Sequence, residues 1–179
     1  MLQTFRKTLG LPIREVIQKN VFGIVRDIIV NPNNGLILAL AVAPGQKVLP
    51  VQDIQKITRK AILVADQEAL AEPGDIVRIA EVLRLQTPIL RNKVFTVSGQ
   101  FLGRVIDFEF QTKGMLLTKI NVAKKFLFFK LESKIISQQQ IITIKPTKII
   151  VRDAKIPAAA VLSKKDSQLK LVNAALQEE

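Results

Sequence analysis

One phrase, G-x-V-x-D-[I/F], is written twice in this chain. It reads GIVRDIIV at residues 23–30 and GRVIDFEF at 103–110, with the two glycines 80 residues apart. An internal repeat constrains a fold more than any single motif, because overlooking it misassigns every element that follows. The match continues around the phrase. Pro12-Ile13 pairs with Pro88-Ile89, Gly35 with Gly114 and Val42 with Val122. Val51 pairs with Leu131, Ile62 with Ile142 and Val64 with Ile144. At 179 residues the chain has room for two units of about 80 residues each, within the size range of small domains.

The period inside each unit is two, the signature of strands. In the first phrase Ile24, Arg26, Ile28 and Val30 share one face, and Val25, Asp27 and Ile29 the other. In the second, Arg104, Ile106, Phe108 and Phe110 oppose Val105, Asp107 and Glu109. The turns NPNNG at 31–35 and QTKG at 111–114 carry residues that accept the positive φ of tight hairpins. Further strands are expected at 36–42, 47–50 and 61–64, and at 115–122, 126–131 and 141–144. Short strands at this spacing point to an all-β chain of two tandem small barrels, a closure that protects sheet edges. Two segments depart from the pattern. Asp75 is the expected N-cap of a short linking helix whose Ile76, Ile79, Val82 and Leu83 share a face. Ser163 and Asp166 have the spacing of a capping box before a C-terminal helix striped by Leu169, Val172 and Leu176. The expected organisation is a first unit at 10–72, a linking helix at 73–86, a second unit at 87–153 and a C-terminal extension at 154–179.

Each unit resembles the PRC-barrel domain. The resemblance rests on G-x-V-x-D-[I/F] in a strand, then a Gly-bearing turn, a strand of small apolar residues and the step Leu49-Pro50-Val51-Gln52-Asp53-Ile54. The second copy reads Phe129-Lys130-Leu131-Glu132 at that step. Together the copies cover most of 10–153. The resemblance implies a small β-barrel binding module rather than an enzyme. PRC-barrels occur in a ribosome maturation factor and in the cytoplasmic part of a photosynthetic reaction-centre subunit.

The composition narrows the chemistry. The chain has no cysteine and no histidine, which excludes disulfides and catalytic thiols together with the commonest general base and metal ligand. No cofactor and no metal site is expected. The carboxylates Asp27 and Asp107 occupy matching places, and the simplest role for each is to accept backbone or arginine hydrogen bonds at a strand end. Gly23, Gly35, Gly103 and Gly114 read as structural positions. No phosphate-loop spacing surrounds them. The longest apolar run, 36–43, is far shorter than the roughly 20 residues of a membrane span, and no signal peptide is recognisable, so a cytoplasmic protein is expected.

The net charge of +12 is uneven. Residues 1–85 carry 11 basic and 8 acidic side chains, whereas 86–179 carry 16 and 7. A basic surface attracts anionic partners. The candidate contacts are Lys124, Lys125, Lys145, Lys148, Arg152 and Lys155. The segment KKFLFFK at 124–130 mixes lysine with phenylalanine as a single-stranded nucleic-acid contact would, although its phenylalanines suit a core better. The expectation is a non-catalytic adaptor for a protein partner or larger assembly. The alternatives are a ribosome- or RNA-associated factor and a scaffold at an anionic membrane surface.

Overall fold

The computed structural model describes residues 1–126 and 129–153, without the side chains of 125–132. The expected C-terminal helix and Lys155 lie outside the described residues, as does the side chain of Lys125. The elements run β1 (Leu2–Thr4), α1 (Phe5–Thr8), β2 (Pro12–Glu15), β3 (Val21–Val30), β4 (Ile37–Ala43), β5 (Val48–Pro50), β6 (Lys56–Ile57) and β7 (Ile62–Val64). They continue α2 (Val77–Arg84), β8 (Lys93–Thr96), β9 (Phe101–Gln111), β10 (Leu116–Phe126), β11 (Phe129–Ser137), β12 (Ile141–Ile144) and β13 (Lys148–Val151). The described chain is mostly β, in agreement with the period-two pattern.

The strands form two sheets of one design. The first has the order β5-β4-β3-β2-β7-β6 and the second β11-β10-β9-β8-β13-β12. In each sheet the phrase-bearing strand, β3 or β9, is central. Its neighbours are antiparallel, and one parallel pair, β2 with β7 or β8 with β13, lies further along. The register fixes which residues correspond. Ile13 faces Gly23 and Ile62, while Val94 faces Gly103 and Ile149.

Several of the matches read from the sequence therefore shift. Ile13 corresponds to Val94, not to Ile89. Ile62 corresponds to Ile149, not to Ile142. The Leu49-Pro50 step corresponds to Ile136-Ser137, since Leu49 faces Leu40 and Ile136 faces Ile120. Each step leads into a one-turn 3-10 segment, Val51–Asp53 or Gln138–Gln140. The shifts at Leu49 and Ile62 follow from a longer hairpin in the second copy. Residues 44–47 join β4 to β5. In the second copy that interval runs from 124 to 134, and its described residues pair as a ribbon in which Lys124 faces Glu132 and Phe126 faces Phe129. Spacing between the copies is 81 at Ile13 and Val94, 80 from the repeated phrase to this ribbon and 87 after it.

The two sheets share one core. Ile13, Val25, Leu40, Ile62, Val94, Val105, Phe108, Ile120 and Ile149 belong to a single buried cluster spanning both copies. The copies also exchange backbone hydrogen bonds reciprocally. Leu36 bridges Leu116, Ile37 N donates to Met115 O at 2.7 Å, and Leu117 N donates to Gly35 O at 2.9 Å. Each copy thus presents the same residues to the other, the arrangement of a two-fold interface built into one chain. Gly35 has φ +74 and its partner in this exchange, Met115, has φ +47. The left-handed position of the second copy is therefore Met115, one residue beyond Gly114.

The outer faces of the sheets differ. On the first sheet Ile29, Ala39 and Val48 are buried beneath Ile79 of α2, with Ile76 and Val82 packed alongside. The helix begins at Val77 after a 3-10 turn over Pro73–Asp75, with Ile76 rather than Asp75 at its N-cap position. Leu83 is exposed, outside the buried stripe. On the second sheet the places of Ile29 and Ala39 are taken by Glu109 and Lys119, which face each other in register and form an ion pair at 3.0 Å. A charged pair needs water near it, whereas Ile29 and Ala39 need cover.

Candidate functional site

The twice-written phrase builds two bulges in each copy. Register slips at Phe22 and Arg26 in β3, and at Leu102 and Ile106 in β9. A bulge adds one residue to one strand and bends it. The glycine sits just past the first slip, where the next strand passes so close that a side chain would strike it. A Cβ on Gly23 would lie 2.7 Å from Ala43 O, and one on Gly103 would meet the backbone of Ala123 and Lys124. The aspartate sits just past the second slip and secures it. Asp27 Oδ1 accepts from Ile28 N at 2.8 Å, and Asp107 Oδ1 accepts from Phe108 N at 2.9 Å. Each carboxylate is thus engaged by the backbone immediately beside it.

Their remaining surroundings diverge. Asp107 also accepts from Arg6 N at 3.2 Å, because β1 and α1 cross to the second sheet. There Phe5 packs on Phe108 with ring centroids 5.0 Å apart. Asp27 has no such second donor among the described residues. More than a third of this residue is open to solvent, yet its carboxyl is crowded by neighbouring protein. That desolvation raises its pKa, while the Ile28 N–H and the Arg26 charge pull it down less strongly. The native state therefore holds the Asp27 proton more tightly than the unfolded chain does, and stability associated with it increases as pH falls through its native pKa. Asp27→Asn is expected to stabilise the protein at neutral pH, and the difference from wild type should shrink as pH falls toward about 4. Urea unfolding at several pH values checks this. An advantage that grows toward low pH contradicts it.

A groove runs along the junction of the copies, in two lobes of about 690 and 860 Å³ that share Phe5, Leu9, Leu90 and Arg91. The smaller lobe includes Arg26, Asp27 and Gln86. The larger has an apolar floor that includes Phe5, Leu90, Val105 and Ala123. Its charged rim is Arg6, Arg91, Arg104 and Lys124, with no carboxylate among the described lining residues. Arg104 is held in place, since its Nη1 donates to Arg91 O at 3.1 Å.

The basic candidates from the sequence separate into two places. Lys124 lines the larger lobe. Lys145, Lys148 and Arg152 are exposed around β12 and β13 and line neither lobe. Lys145 N donates to Lys148 O, and Arg152 N to Gln140 O, both at 2.9 Å. Asp153, next to Arg152, accepts from Ser98 Oγ at 2.6 Å, and this hydrogen bond lowers its pKa. No motif marks Arg6, Arg91 or Arg104 as groove residues. The structure sets Arg91 in correspondence with Gly10, one residue off the spacing of 80. Gly10 N donates to Val25 O and Arg91 N to Val105 O, and the residues have φ +75 and +65.

No helix among the described residues is long and apolar enough to cross a membrane. No protein-family model matches the chain, and no curated protein matches it.

Proposed function

We propose that this chain is a non-catalytic adaptor built from two tandem PRC-like barrels, which engages an acidic protein or a larger assembly in the cytoplasm. The observation that carries the reading is the set of exposed cations in the second half, Lys145, Lys148 and Arg152, which have no acidic partner among the described residues. Charges left solvated in this way draw an anionic surface and speed its encounter. The non-catalytic part of the reading is supported by Asp27 and Asp107, whose carboxylates are engaged with backbone N–H groups at equivalent bulges.

Affinity capture from lysate, with and without nuclease, tests the proposal. The expected result is a defined protein partner that survives nuclease. The variant Lys145→Glu/Lys148→Glu/Arg152→Glu should lose it. Capture that disappears with nuclease and falls steeply with salt would instead favour the RNA- or ribosome-associated reading, which the same cations support. Capture that the triple variant leaves intact would remove the basic surface from the explanation.

A further inference from the structure

The larger lobe of the junction groove combines two properties seldom found together. Its lining is apolar, with Leu9 and Phe101 at 37% and 39% exposure above the buried Phe5, Val105 and Ala123. Its rim presents Arg6, Arg91, Arg104 and Lys124, with no acidic lining residue among those described. Asp107, the nearest carboxylate in sequence, is engaged by the backbone N–H groups of Arg6 and Phe108. At about 860 Å³ the lobe has the volume of a small-molecule site.

The backbone adds an independent sign. Arg91 holds φ +65 at the place where the first copy has Gly10 at φ +75. A non-glycine residue in that region is disfavoured, because its Cβ crowds the following carbonyl oxygen. Nothing stands within 4 Å of the position a Cβ would take at Gly10, so the conformation, not space, is what favours glycine there. The second copy nonetheless carries an arginine, whose carbonyl pins Arg104 to the same rim. Such backbone conformations cluster at ligand sites, and this one lies on the rim of the cavity.

We propose that this lobe binds an apolar chain ending in a carboxylate, a fatty-acid-type anion. Arg91 and Arg104 hold the carboxylate and the chain lies along Leu9, Leu90 and Phe101. Guanidinium groups match a carboxylate in planar, bidentate geometry, and the floor gains by removing the chain from water. A nucleic acid fits less well. Phe5 is buried against Phe108, which leaves Phe101, packed on Phe95 with 5.2 Å between ring centroids, as the one exposed ring among the described lining residues, too few for successive bases. Inorganic phosphate would leave the floor unused. The proposal goes beyond the adaptor reading and is independent of Lys145, Lys148 and Arg152.

Calorimetric titration of the full chain with dodecanoate, below its micelle concentration, tests the site. Dodecanol, acetate and a single-stranded RNA oligonucleotide serve as comparisons. The expected result is saturable dodecanoate binding, with dodecanol and acetate each weaker by about tenfold or more. Arg91→Gly restores the residue type of the first copy and should keep the fold, as circular dichroism would verify, while weakening dodecanoate by about tenfold. Lys124→Gln provides a second, milder reduction. Equal affinity for dodecanol and dodecanoate, no binding of dodecanoate, RNA that competes dodecanoate out of the lobe, or unchanged affinity in both variants would each overturn the proposal. Failure here leaves the capture experiment untouched, because that experiment reads a different surface.

Discussion

Alanine at Gly103 is expected to destabilise the protein by about 2–5 kcal/mol, combining overpacking of about 1–3 kcal/mol with a left-handed backbone penalty of about 1–2 kcal/mol. The added methyl would run into Ala123 O and C and come within 2.8 Å of Lys124 N, all backbone atoms of β10. Backbone in a paired strand cannot turn aside as a side chain can. The φ of +129 adds to the cost, since a Cβ is poorly tolerated there. At Gly23 one of the two close contacts is the Val42 side chain, at 2.5 Å, and a single backbone atom, Ala43 O at 2.7 Å, comes within 3 Å, against three at Gly103. Gly23→Ala should therefore cost less than Gly103→Ala. Equilibrium urea unfolding of both variants measures the order. Equal midpoints for wild type and Gly103→Ala would mean that β9 and β10 do not pass as closely as described.

Phe108→Ala should cost about 3–5 kcal/mol, the range for deleting a buried phenylalanine. Phe108 is 2% exposed in the shared core and packs against Phe5. The two rings join elements distant in sequence, since Phe5 lies on the N-terminal α1 that crosses onto β9. A double-mutant cycle with Phe5→Ala should show coupling of about 0.5–1.5 kcal/mol beyond the area terms. Strict additivity would mean that the N-terminal segment contributes only its own buried surface.

Whether the chain folds as one cooperative unit follows from the same contacts. Duplicated units can unfold separately when each closes its own core. Here the buried cluster runs through both sheets, and Leu36 and Leu116 tie their hairpins together. Substitutions in either sheet are therefore expected to shift a common transition.

The repeat, the period of two and the strand phrases were legible because they are local. Alternation in GIVRDIIV and GRVIDFEF follows from the pleat of a single strand. The difference between Ile29 and Glu109 was also visible, and it marks which outer face a helix covers. The later correspondences were hidden by the ribbon at 124–134, which changes the spacing from 80 to 87. Constant spacing set Ile62 against Ile142, whereas strand pairing sets it against Ile149. A sequence carries no mark of where a hairpin lengthens when both arms are strand-forming, so register is decided only when the neighbouring strand is in place.

By itself, the sequence determined that the chain is a mostly β duplication with glycine and aspartate at matched strand positions, because steric and pleating preferences act over a few residues. Only the tertiary structure decided that Met115 rather than Gly114 mirrors Gly35, that α1 crosses to the second copy, and that Arg6, Arg91, Arg104 and Lys124 rim one groove. Those four cations are far apart along the chain. Their proximity is a product of strand register and of the contact between copies, where long-range packing, not local preference, sets the geometry.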